Sequence, residues 1–202
     1  MYNKIMVFTL ASIFCYFQVF AFENPNGTVK VTPVGEAIAK KLIRDNAGNI
    51  TLKGLKISDN IEPEQSFEIK IGPKIFYIIS AHRATPSNAD LFTCSVLLFD
   101  AYGVIRSAFD TMGNDNEKRP WYCDHVEAMS FNDYYPDGAS KIIGLYRGTP
   151  PSSEHFVLPI IMKLDFNTPT LEIDEELTRK LEDVGADTIR GVRSYLKKQG
   201  QK

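Results

Sequence analysis

Three histidines, His82, His125 and His155, are the first candidates for catalysis, because histidine exchanges protons near neutral pH. They are scattered along the chain, and no serine-nucleophile, zinc-protease, phosphate-loop or dinucleotide-binding motif accompanies them. His82 or His125 can still act with a nearby carboxylate as acid or base in a small hydrolase. A pocket that joins one of them to a carboxylate within hydrogen-bond reach would favour that hypothesis.

The cysteines favour a disulfide over a metal centre. Cys15 lies in the apolar N-terminal run, which leaves Cys94 and Cys123 as a pair. In an oxidising compartment this pair forms a bridge, and closing a loop of about 30 residues stabilises a fold by roughly 3–4 kcal/mol on the chain-entropy model. The alternative is a metal site at Cys123 and His125, but no C-x-x-C or H-x-x-x-H spacing supplies further zinc ligands. We expect a Cys94–Cys123 disulfide and no cofactor.

The sequence FNDYYPDG, which ends at Gly138, has the composition of an ion-binding turn. Asp133, Asp137 and Gly138 match the pattern D-x-[ND]-x-D-G, and the segment resembles the calcium-binding hairpin loops of FG-GAP and VCBS-type proteins and of many secreted bacterial proteins. That resemblance implies a hairpin between two strands and no particular activity. Tyr135 replaces the middle oxygen ligand, and Lys141 stands where the last carboxylate belongs.

These departures predict a loop without a metal ion. Calcium takes about six to eight oxygen ligands, and Asp133 and Asp137 are too few carboxylates to hold it. The ammonium group of Lys141 can supply the positive charge that calcium supplies in the intact pattern. The alternatives are a polar turn with a solvated lysine, or real calcium binding.

Aromatic residues crowd around Cys123 and the loop. Tyrosine and tryptophan are typical of protein interfaces and of carbohydrate-binding platforms, so these side chains predict a recognition patch. The alternative is that the tryptophan packs into the core beside the disulfide. The residues concerned are Trp121, Tyr122, Tyr134, Tyr135 and Tyr146.

The N-terminus is typical of a secretory signal peptide at residues 1–21. Lys4 precedes an apolar run, and the small side chain of Ala21 fits a signal-peptidase site. We expect cleavage after Ala21, a single domain over residues 22–202, and a periplasmic or secreted protein. A membrane anchor is the alternative, but Gln18 interrupts the run before it reaches the roughly 20 residues that span a bilayer.

Composition excludes several other classes of protein. The 202 residues are 44% hydrophobic and 24% charged, which does not fit collagen, a coiled coil or a disordered chain. The net charge of -2 provides no basic field for nucleic acid. No later stretch is apolar enough to span a membrane.

Hydrophobic periodicity places these residues on an α+β scaffold. The first element is a predicted helix with Thr32 as its cap, Pro33 in its first turn and an end at 46–48. A period of two follows and predicts strands, of which the second is central. The predicted strands cover 67–71, 75–79, 92–100, 104–110, 126–131, 140–147 and 155–166.

The remaining signals concern connections and ends. The polar stretch 111–119 is predicted to be an exposed loop, and Pro159 lacks an amide hydrogen, which favours an edge strand or a bulge. Asp174 and Asp187 can cap two C-terminal helices. We predict a largely antiparallel sheet flanked by an N-terminal helix and C-terminal helices.

Two functions remain. The first is a periplasmic or secreted non-catalytic binding module, inhibitor- or immunity-like, that recognises a protein or a glycan of the cell envelope. The second is a small envelope hydrolase that uses His82 or His125 with nearby carboxylates. The absence of a catalytic motif favours the first.

The disulfide prediction is tested by intact-mass analysis of the mature protein. Reduction should raise the mass by that of the added thiol hydrogens, and alkylation without reductant should modify neither Cys94 nor Cys123. Two freely alkylated thiols after export to an oxidising compartment would contradict both the bridge and the assigned compartment.

Overall fold

In the computed structural model the chain forms two antiparallel sheets with helices packed outside them. The structure describes residues 20–24, 27–52, 55, 61–85, 88–113, 116–150 and 155–199. Apart from its last two residues, the predicted signal peptide lies outside these ranges. The α+β class predicted from the sequence is confirmed.

The first sheet has six strands in chain order and the second has four strands in the order β10–β9–β8–β7. The first comprises β1 (Phe20–Asn24), β2 (Gly27–Pro33), β3 (Phe67–Ile71), β4 (Lys74–Thr85), β5 (Asn88–Asp100) and β6 (Ile105–Met112). The second comprises β7 (Tyr122–Tyr134), β8 (Ser140–Thr149), β9 (Phe156–Asp165) and β10 (Thr170–Ile173). The helices are α1 (Glu36–Asp45), α2 (Ala47–Leu52), a 3₁₀ turn (Pro63–Gln65), α3 (Glu175–Asp183) and α4 (Ile189–Lys198).

The main core lies between the two sheets. The predicted alternation on β5 places Cys94, Val96 and Leu98 in this core, and the alternate residues of β9 from Leu158 to Leu164 join them. The outer face of the first sheet packs against α1 and α2. The outer face of the second sheet packs against α3 and α4. The order of layers is therefore helix, sheet, sheet, helix.

The predicted start of the first helix is wrong. Thr32 and Pro33 belong to β2, where they pair with Glu68 and Phe67 of β3, and α1 begins only after Gly35. The ladder with β3 takes the backbone groups that a helix start at Thr32 would need, so tertiary pairing overrides the local capping signal. The helix turns inward the face that carries Ala39 and Ile43.

The C-terminal helices begin close to their predicted caps. Asp174 caps α3, because its Oδ1 accepts the Leu177 amide at 3.0 Å. The second cap is Thr188 and not Asp187, since Thr188 Oγ1 accepts the Gly191 amide at 3.0 Å. Both residue types can cap, and α4 starts one residue later than the pattern indicated.

Pro159 lies where its missing amide hydrogen costs nothing in the ladder. Ile161, two residues further along β9, donates its amide to Thr178 Oγ1 on α3 at 3.0 Å, so its backbone groups point away from β8. Pro159 has the same orientation by the alternation of a strand. The predicted edge strand or bulge is not found, since β9 lies between β8 and β10 and its register with β8 is regular. Pro159 is tolerated because β10 pairs with β9 only from Met162 to Asp165 and leaves the outward side of Pro159 unpaired in the sheet.

The stretch 111–119 is only in part the exposed loop that its polarity predicted: Glu117 and Lys118 are exposed, but its two ends are not. Thr111 belongs to β6, and both Thr111 and Arg119 are buried. Arg119 donates from Nε to the Thr111 carbonyl at 2.6 Å and makes two further hydrogen bonds to the carboxylate of Glu175. The hydrogen bond from Arg119 holds the pKa of Glu175 below its ordinary value. The long hydrophobic stem and the ion pair let this arginine be buried.

A glycine in β8 makes room for an aromatic ring in the core. A Cβ atom at Gly144 would lie 2.6 Å from Cε2 of Tyr146, which is fully buried between the sheets. We expect Gly144→Ala to lower the free energy of unfolding by about 1–3 kcal/mol through overpacking. Denaturant unfolding measures this loss.

Gly48→Ala is the matched control, because Gly48 lies in α2 with no atom within 4 Å of its added methyl group. There the change should be neutral or stabilise the protein by about 0.5–1 kcal/mol. Equal effects of the two changes would show that the ring does not pack over Gly144.

Candidate functional site

The segment of residues 61–66, here called the bridging segment, is fastened to β4 of the first sheet. Ile61 pairs with Ala81, and the Glu62 amide donates to the Ser80 carbonyl at 2.8 Å. The buried hydroxyl of Ser80 in turn donates to the Gln65 carbonyl at 2.7 Å. Hydrogen bonds at both ends therefore fix the position of this irregular stretch.

The side chain of Glu62 connects the same segment to the second sheet. Its two oxygens accept the Val126 amide of β7 at 3.0 and 2.9 Å, and Oε1 lies 2.6 Å from Nε2 of His82 on β4. The two side chains are only 13% and 14% exposed. Glu62 is thus a mostly buried carboxylate whose partners come from both sheets.

A cleft of about 750 Å³ lies between the bridging segment and β7. Glu62, Glu64, His125 and Glu127 line it together with apolar and backbone groups. The Glu127 carboxylate accepts from Nε of Arg147 at 2.6 Å, and the Gln65 amide donates to the Glu127 carbonyl at 3.4 Å. The cleft presents more acidic than basic side chains.

Of the three histidines, His125 lines this cleft and His82 contacts Glu62 behind its wall, whereas His155 lies elsewhere. His155 Nδ1 lies 2.7 Å from Asp124 Oδ2 and 2.8 Å from Thr149 Oγ1. A catalytic relay needs the acid and the nucleophile on opposite ring nitrogens, whereas here both contact Nδ1. The group of Asp124, Thr149 and His155 is therefore not arranged as a nucleophilic triad.

The disulfide joins the two sheets near the cleft. Cys94 on β5 and Cys123 on β7 are bonded, with their Cα atoms 5.6 Å apart, which confirms the predicted bridge. The bond uses the thiolate that a Cys123–His125 metal site would need. Among the described residues, no group of three or more His, Cys, Asp or Glu side chains is placed to hold a metal ion.

The five aromatic residues predicted to form a patch do not share a surface. Trp121 and Tyr122 lie at the start of β7 while Tyr134 and Tyr135 lie at its end, a separation of about 30 Å as measured along the paired strand β8. Tyr146 is fully buried. Trp121 packs against the core between the sheets. Proximity in sequence was misleading here, because a long extended strand carries its ends far apart.

In the calcium-like loop, basic side chains neutralise both aspartates. Asp133 accepts from Nε of Arg193 on α4 at 3.0 Å, and Asp137 accepts from Lys163 at 2.6 Å. The hydrogen bond from Lys163 lowers the pKa of Asp137. Arg193 and Lys163 contact the two aspartates directly, whereas Lys141 acts on Asp133 through its charge and without a hydrogen bond.

Lys141 is instead buried beneath the loop. Its ammonium nitrogen lies 4.6 Å from the ring centre of Tyr135, whose hydroxyl donates to Asp174 at 2.8 Å. Burial lowers the pKa of Lys141, and the negative charges of Asp133 and Asp174 oppose that shift. Burial and the bond to Asp174 also raise the pKa of Tyr135. The expectation of a solvated lysine is wrong.

Comparisons with known proteins give no functional lead. No protein-family model, curated protein or solved structure matches the chain. The geometry of the cleft and of its neighbours must therefore carry the functional argument.

Sequence reasoning missed Glu62 and Gln65, the side chains that shape the cleft. Both lie in a stretch without hydrophobic periodicity, and neither belongs to a motif. The usable signal was the Pro63 beside them, which marks a turn that leads into the β3 strand. Nothing in that signal indicates which strand the carboxylate of Glu62 reaches.

The burial of Lys141 predicts how the stability of the fold depends on pH. Since the folded-state pKa of Lys141 lies below its ordinary value of 10.5, the unfolded chain binds the proton more tightly, and stability should rise with pH between those two values. Lys141→Met should abolish this rise. Near neutral pH the variant should be as stable as the wild type or more stable by up to about 2 kcal/mol, because an apolar side chain replaces a desolvated charge.

Urea unfolding at a series of pH values measures this effect. Lys163→Met is the control, because its hydrogen bond to Asp137 raises the pKa of Lys163, so the rise assigned to Lys141 should persist in that variant. A Lys141→Met variant that keeps the rise would contradict the assignment.

Proposed function

We propose that the chain is a periplasmic or secreted non-catalytic binding module that recognises a component of the cell envelope at the cleft. The apolar leader with Ala21 at its end and the Cys94–Cys123 disulfide support an oxidising compartment. No helix among the described residues is both long and apolar enough to cross a bilayer.

The observation that carries this proposal is that hydrogen bonds hold both walls of the cleft in place before any partner binds. One wall, the bridging segment, is bonded to β4 through Glu62 and Ser80, and the other wall is β7 itself. A wall that is already ordered loses little conformational entropy when a partner binds, which favours affinity. The bonds of Glu62 to Val126 also keep the two walls at a constant separation.

The same bonds argue against acid–base catalysis by Glu62. Both of its oxygens accept the Val126 amide, and one of them also contacts His82, so the carboxylate is committed to holding the sheets. Glu127 is likewise committed to Arg147. A general base must reach the proton it abstracts, and these two carboxylates are held by other groups.

A small hydrolase is the second candidate, because a histidine and a carboxylate lie within hydrogen-bond reach beside a cleft. The pair is His82 and Glu62 at 2.6 Å, and His125 lines the same cleft. On this hypothesis purified cell-wall material would release soluble fragments, and His125→Ala would abolish the release. On the binding hypothesis neither protein releases any.

The binding proposal is tested with a photo-crosslinking residue at Glu64, an exposed position of the cleft, in the native host. We expect a discrete adduct that is lost when the cleft is altered by His125→Lys in the same protein. The control carries the crosslinker at Tyr102, which is 91% exposed in the turn that follows β5.

An adduct from Tyr102 and none from Glu64 would place the binding surface elsewhere. No adduct from either position would overturn the proposal. Circular dichroism and intact mass of each variant check that the fold and the disulfide are unchanged.

A further inference from the structure

We propose that the occupant of the cleft is an extended, basic segment of a partner protein, which lies along the outer edge of β7. This inference rests on the proposed function and names the chemistry of its partner. Two features of the structure support the inference: the charge of the cleft, and the edge of β7 that no other strand covers among the described residues.

The charge of the cleft selects a cationic occupant. Three carboxylates line it, from Glu62, Glu64 and Glu127, against one histidine, His125. Glu62 is held by Val126 and His82, so it adds little to the charge that an occupant meets. Arg147 pairs with Oε1 of Glu127 and leaves its Oε2 for a second cation, and Glu64 is exposed. A lysine or arginine side chain of a partner would complement these groups, whereas an acidic segment would meet like charge.

The backbone edge selects an extended occupant. Among the strands of the described residues, β7 is the last of the second sheet and pairs with β8 on one side only. Val126 pairs with Tyr146 and directs its amide outward, to Glu62. Met129 pairs with Gly144, which lies two residues from Tyr146 along the regular strand β8. Because the direction of the backbone groups repeats at every second pair of an antiparallel ladder, the amide and carbonyl of Met129 also point outward.

The bridging segment already uses part of this edge. Side chains of Glu62 and Gln65 bond the Val126 amide and the Glu127 carbonyl, as the backbone of a neighbouring strand would do. Bulges on either side leave 128–130 as the regular stretch of β7 beside the cleft. A partner segment would therefore add a few backbone hydrogen bonds at Met129 and place its cationic side chains against Glu64 and Glu127.

The experiment titrates the ¹⁵N-labelled mature protein with three synthetic peptides. The first alternates lysine and valine, the second alternates glutamate and valine, and the third repeats the first with every backbone amide methylated. The third keeps the charges and side chains but loses its backbone hydrogen-bond donors along both edges. We expect the first peptide alone to shift the amides of His125, Glu127 and Met129 and to slow hydrogen exchange at Met129.

Two variants test the assigned groups. Glu64→Lys should weaken binding of the lysine peptide by roughly two- to five-fold, as for loss of an exposed ion pair, and more at low salt. Glu176→Lys, an exposed change on α3 outside the cleft, should leave binding unchanged.

The failures of the two proposals are distinguishable. If no peptide binds at millimolar concentration but the crosslink at Glu64 forms, the binding function stands and the basic segment is wrong. If the glutamate peptide or soluble cell-wall glycan fragments shift the same amides instead, the inference is also overturned. Equal binding of the methylated peptide would refute the strand-edge contact.

Discussion

The two sheets depend on one corner at which covalent and polar ties lie side by side. Cys94 and Cys123 join β5 to β7, and Cys94 pairs across the ladder with His82, the residue that contacts Glu62. Glu62 then returns to β7 through the Val126 amide. Apolar packing alone is not directional, so this corner fixes β7 over the first sheet, while the hydrogen bond from the Leu171 amide of β10 to Ser107 Oγ of β6 ties the other edge of the second sheet.

The cleft is a consequence of that corner. Glu62 costs free energy to desolvate, and its bonds offset that cost only while both sheets stay in place. The position of the bridging segment, and with it the separation of the cleft walls, is therefore coupled to the packing of the sheets. A carboxylate in that structural role is a poor general base, which is why we favour binding over hydrolysis at a site that contains a histidine and a carboxylate.

The sequence predicted the parts of the fold that rest on local pattern. The alternation of β5 and β9 located the core, the cysteine count located the disulfide, and Asp174 located a helix start. The wrong predictions share a cause, which is contact with residues distant in sequence. Thr32 and Pro33 pair with β3 and do not start a helix, and Arg119 is buried because it forms an ion pair with Glu175. The cleft was least predictable, because its residues meet only after both sheets have packed.

Hydrogen exchange at the Val126 amide, resolved by NMR under native conditions, tests most directly whether Glu62 holds the corner. If Glu62 bonds this amide in the folded protein, the Val126 amide should exchange as slowly as a buried amide of β8 such as that of Ile143. Both amides should then exchange only when the protein unfolds almost completely. Exchange of Val126 at the rate of a solvent-exposed amide would show that the carboxylate does not close this edge, and would contradict the account of the cleft.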